Sequence, residues 1–72
     1  MPQPVMEPVE SASIEAVGYD DEAAELHVRF HSGRTYIYTD VPRANYEGLL
    51  TAPSAGRYFS YFIRPRFDWR ET

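Results

Sequence analysis

From residue 25 to residue 31 the chain alternates strictly, with Leu26, Val28 and Phe30 on one side and His27, Arg29 and His31 on the other. A period of two predicts a half-buried antiparallel strand. Upstream, Ser13-Ile14-Glu15-Ala16-Val17-Gly18-Tyr19 reads as a second strand, although Ile14 and Val17 stand three apart where a regular strand would separate them. Gly18 marks either a bulge or a close backbone approach. Downstream, Tyr36-Ile37-Tyr38 between Thr35 and Thr39 supplies strong β formers for a third strand over residues 34 to 40. Short connections between the three predict a meander.

The turn at Ser32-Gly33 leaves two registers open. A two-residue loop pairs Val28 with Ile37 and puts Tyr36 and Tyr38 on the face of Arg29 and His27. A three-residue loop of His31, Ser32 and Gly33, with Gly33 left-handed, pairs Tyr36 with Val28 and Tyr38 with Leu26. The first displays the tyrosines and the second buries them, because a one-residue slip moves a strand's side chains to the other face.

The period then changes to that of a helix. Tyr46, Leu49 and Leu50 form an i, i+3, i+4 stripe over residues 42 to 51, opened by Pro42 and stopped by Pro53. Within it Gly48 costs about 1 kcal/mol relative to Ala, which suggests that another element approaches there. Ser54 is a good N-cap for a second helix over residues 55 to 64, where Phe59, Phe62 and Ile63 repeat the stripe before Pro65. Trp69, near the end, is expected to fold back on the body. The fold class is therefore α+β: a three-stranded antiparallel meander followed by two short helices packed on one face.

Composition sets the scale. At 72 residues, with no cysteine, the chain allows one small domain held by an apolar core without disulfides or thiolate metal sites. Three of its six prolines fall within residues 1 to 9, so residues 1 to 10 read as a disordered, dispensable tail and residues 11 to 72 as the domain. No apolar run is long enough to span a bilayer, and a cytoplasmic protein without membrane contact is expected. Residues 1 to 28 carry seven acids and no base, whereas residues 29 to 72 carry seven arginines and four acids.

The ordered set Ser13-Ile14, Val17-Gly18-Tyr19-Asp20, Leu26, Phe30, Gly33, Tyr36-x-Tyr38, Val41-Pro42, Tyr46, Leu49-Leu50, Ala52, Ser54, Gly56, Tyr58-Phe59 and Ile63-Arg64 resembles the KTSC domain, whose central motif is Tyr-x-Tyr. That family occurs at the C-terminus of some lysyl-tRNA synthetases and as a stand-alone bacterial protein. Ser60, where the family usually has Asn, and the apolar Tyr61-Phe62 depart from its pattern. The resemblance implies a small α+β module with no assigned activity and, from its company with a synthetase, RNA binding.

The chemistry of the residues narrows the field further. His27 and His31 share a strand face but stand about 13 Å apart, too far for one metal ion. The acids at Asp20, Asp21, Glu22 and Glu25 lack the spacing of a calcium loop. Ser32 and Ser54 occupy a turn and a cap, and no glycine-rich phosphate loop is present, so neither catalysis nor a cofactor is expected. Residues 57 to 70 interleave arginines with aromatics, a composition suited to single-stranded nucleic acid. Arg57, Tyr61 and Arg64 share a helix face, with Arg66 just beyond. Tyr36, Tyr38 and Arg29 complete the candidate RNA-binding set. The competing interpretation is an ordinary surface whose arginines pair with acids from the first half of the chain. Because the net charge is −4, any RNA binding is expected to be weak. The alternative function is a protein-interaction module or homodimer built on exposed tyrosine and arginine.

Overall fold

The computed structural model describes residues 4–72. Gly33 adopts φ +94°. Its amide donates to the Phe30 carbonyl, and the Phe30 amide donates to that of Arg34, both at 2.9 Å. His31, Ser32 and Gly33 thus form a three-residue loop, and glycine takes without strain a conformation that a Cβ resists. The register follows, with Val28 opposite Tyr36 and Leu26 opposite Tyr38. Of the two registers, this is the one that turns both tyrosines toward the core.

The elements in chain order are β1 (Glu7–Pro8), β2 (Ile14–Asp20), β3 (Glu25–Phe30), β4 (Thr35–Tyr38), α1 (Arg43–Thr51), α2 (Ala55–Tyr58) and β5 (Trp69–Glu71). A π-helical turn, Phe59–Ile63, continues α2. The strands form one antiparallel sheet in the order β1-β2-β3-β4-β5. The expected meander is its centre, and the sheet has five strands where three were expected. Both additions come from short segments with little periodicity. Glu7 and Pro8 pair with Val17 and Ala16, so the segment expected to be a disordered tail contributes an edge strand. Met1–Gln3 lie outside the described residues. At the other end Trp69, Arg70 and Glu71 pair with Tyr38, Ile37 and Tyr36.

A bulge explains the three-residue spacing of Ile14 and Val17. Ile14 pairs with Phe30 and Ala16 with Arg29, so two steps on β2 answer one on β3. The extra residue returns Ile14 and Val17 to the same face, and both are fully buried. Gly18 serves the close approach instead: a Cβ there would lie 2.8 Å from both the Met6 Sδ and the Val5 carbonyl oxygen.

The core lies between one sheet face and the helices. Ile14, Val17, Leu26, Val28 and Tyr38 meet Tyr46, Leu49, Ala55, Phe59 and Ile63 there. Two positions expected in the helical stripes are exposed, Leu50 at 42% and Phe62 at 43%. For Phe62 the reason is the π turn, closed by the Arg64 amide donating to the Phe59 carbonyl at 2.9 Å. A wider turn brings the fourth residue back over Phe59 and leaves the third short of the core. Gly48 admits Tyr58, because a Cβ on it would overlap the Tyr58 phenol.

Candidate functional site

Five aromatic rings from four elements, β3, β4, the π turn and β5, form a chain of edge-to-face contacts. Trp69 meets Tyr36 at 5.0 Å, Tyr36 meets Phe30 at 5.5 Å, Phe30 meets Phe59 at 5.6 Å, and Phe59 meets Tyr38 at 5.4 Å between centroids. Such contacts set the positive edge of one ring against the negative face of the next. The series descends from Trp69, 56% exposed, to Tyr38 and Phe59, which are buried. These rings line an open cleft of about 720 Å³, whose remaining wall includes His31, Arg34, Arg64 and the Ala12–Ser13 segment.

Hydrogen bonds tie the wall together. His31 Nε2 donates to the Ser11 carbonyl oxygen at 3.0 Å, and the His31 amide donates to that of Ser13 at 2.9 Å. The Ser11 hydroxyl accepts from the amides of Ser13 and Ile14. Burial pushes the Tyr38 phenol up from its ordinary pKa, with the Arg64 charge acting in the opposite direction. Arg34 is exposed and held in its charged form by Tyr36 and Glu71.

Across the Ala12–Ser13 segment lies a second, shallower depression of about 380 Å³. Arg57 and Tyr61 line it, together with Ser11, Ser54 and Ser60. Ser54 caps α2 as expected, its hydroxyl accepting from the Arg57 amide at 3.3 Å. Ser60, the departure from the family pattern, is thus a lining residue of this depression.

The structure separates the candidate residues. Arg64, Tyr36 and Tyr38 share the aromatic cleft, while Arg57 and Tyr61 share the neighbouring depression. Arg66 lines neither and lies over the Phe62 ring at 5.7 Å. Arg29 is on the other sheet face, a consequence of the register that turned the tyrosines inward, and it bonds Glu15 at 3.1 Å. It does not join the others. Trp69, Phe30, Phe59, Arg34 and His31 were absent from the expected set. The arginine–aromatic interleaving over residues 57 to 70 already pointed to Trp69, but its strand pairing beside Tyr36 was not legible.

Charge pairing sorts the arginines too. Arg29 pairs with Glu15, Arg34 with Glu71, Arg43 with Asp21 and Glu47, and Arg70 with Glu25. Among the described residues, no carboxylate lies within 4.0 Å of Arg57, Arg64 or Arg66. Three acids of the first half, Glu15, Asp21 and Glu25, pair with Arg29, Arg43 and Arg70, and among the described residues none pairs with an arginine of the second helical segment. No acid lines the cleft, although the chain contains eleven.

A protein of Tsukamurella paurometabola is 47% identical over 62 residues, which cover 86% of this chain and 92% of that protein. A lysine–tRNA ligase of Nostoc punctiforme is 34% identical over 68 residues, 94% of this chain and 12% of the enzyme. The crystal structure of a KTSC domain protein from Yersinia pestis superposes with a TM-score of 0.90 at 32% identity, covering 97% of this chain and 99% of that one. The family model for the KTSC domain matches residues 10–67, which contain the cleft except for Trp69. This chain belongs to the KTSC domain family.

Proposed function

We propose that this domain is a non-catalytic module that binds single-stranded RNA, with a base on the Trp69–Tyr36 end of the aromatic cleft and a phosphate on Arg64. The observation that carries this reading is the cleft's lining, five linked rings and a carboxylate-free arginine, with no acid in a chain of net charge −4. Exposed rings stack on any base, and arginine grips the backbone, which is how single strands are held without sequence readout. Occurrence of a homologous segment within a lysine–tRNA ligase, an enzyme named for an RNA, supports the same reading.

Binding is measured by anisotropy of a labelled single-stranded RNA hexamer. Each phosphate contact contributes about 0.7 log units of affinity per decade of salt. Arg64→Glu is expected to flatten the slope by about that amount. Trp69→Ala is expected to lose about 1–3 kcal/mol with the slope retained. Absence of binding at low salt by folded protein removes the proposal. The exposed edge of β5 favours a second reading, a protein-interaction module or homodimer pairing along that strand. Its association would depend little on salt.

A further inference from the structure

Building on RNA binding in the aromatic cleft, we infer that the ligand is a strand of at least three nucleotides that crosses the Ala12–Ser13 segment into the depression lined by Arg57 and Tyr61. The two hollows share Ala12 and Ser13 as a common wall. Their chemistry differs in a complementary way. The cleft is floored by rings, whereas the depression is lined by serine hydroxyls around one arginine and one 67% exposed tyrosine. Ser13 and Ser60 offer hydroxyls suited to ribose and phosphate oxygens, and Tyr61 offers a face for a second base.

The spacing sets the length. Arg57 and Arg64 stand seven residues apart along a continuous helical segment, α2 and its π turn. At about 1.5 Å per residue, and less through the π turn, their backbone positions are at most about 10 Å apart along the axis, two to three steps of a stacked strand at about 3.4 Å each and hence three to four nucleotides. Both guanidinium groups are free of carboxylates among the described residues, so a strand running between them displaces no ion pair. A mononucleotide reaches one hollow only, and a trinucleotide reaches both.

The chain's single tryptophan, Trp69, lies in the cleft and reports on its occupancy. Its fluorescence is titrated with adenosine monophosphate and with the RNA trinucleotide AAA, for the full chain and for Arg57→Ala and Tyr61→Ala. Both replacements are at exposed positions, and the proton spectrum checks that each variant is folded. The trinucleotide is expected to bind about tenfold tighter than the mononucleotide or better, and each variant to bring that ratio toward one. Variants that keep the wild-type ratio overturn the second hollow while leaving RNA binding in the cleft intact. Equal wild-type affinity for the two ligands does the same. Failure of both ligands to quench Trp69 at low salt overturns RNA binding itself, and a change in sedimentation with protein concentration then assigns the face to a second copy of the chain.

Discussion

Phe59 belongs at once to the core and to the floor of the cleft. It is 5% exposed and contacts Phe30 and Tyr38 edge-on. Phe59→Ala removes a buried ring that two neighbouring rings pack against, at an expected cost of about 3–5 kcal/mol. Urea unfolding measures it, and a loss below about 1 kcal/mol would show that neighbouring rings refill the space. Gly48 tests the opposite error. Gly48→Ala drives a methyl group into the Tyr58 phenol, whose hydroxyl accepts from Asn45. Overpacking of this kind is expected to cost about 1–3 kcal/mol despite alanine's better helix propensity. A stabilised variant would show that Tyr58 swings clear. The glycine was legible in the sequence as a point of close approach, but what approached it was not.

Among elements, β1 is the least expected. Its two residues pair with β2, and Met6 and Val5 rest where Gly18 lacks a side chain. Deletion of residues 1–9 is therefore expected to lower the thermal midpoint by several degrees, since about 1 kcal/mol shifts a domain of this size by roughly 4–8 °C. Scanning calorimetry on the truncated chain decides it, and an unchanged midpoint would return the segment to a dispensable tail. The three central strands were legible because each carries its own alternation and turn residues. Both edge strands were missed because a two- or three-residue strand has no period, and its pairing is dictated by the neighbour. The stripe Phe59, Phe62, Ile63 misled for a related reason: periodicity assumes an α turn, and a π turn puts Phe62 outside.

The molecule as a whole carries a buried titratable group on the sheet face away from the helices. His27 is 7% exposed, and its Nε2 has no hydrogen-bond partner among the described residues. Burial pushes its pKa down, and Glu25, at 3.9 Å, and Asp20 oppose this while Arg70 adds to it. The unfolded chain, with an ordinary histidine near 6.5, therefore binds a proton that the folded one resists. Stability from this group is present above about pH 6.5 and declines as pH falls below it toward the lowered folded value. Urea midpoints from pH 8 to pH 5 are expected to fall for the wild type and to flatten over that window in His27→Gln. Equal slopes would assign the acid sensitivity to other groups.

From the sequence alone came the family, through the resemblance of an ordered set of residues. The α+β class, the strands around Val17, Val28 and Ile37, both helix starts and the Ser54 cap came from it too, because each rests on local spacing. Arg57, Arg64 and Tyr61 were legible as candidates for the same reason. Their division between two hollows was not. The tertiary structure decided the register through Gly33, the five-strand sheet through its edges, and the carboxylate-free arginines through pairing elsewhere. It also brought Trp69 beside Tyr36, across 33 positions of chain. Sequence periodicity states which face a residue occupies within its own element, and only packing states which element that face will meet.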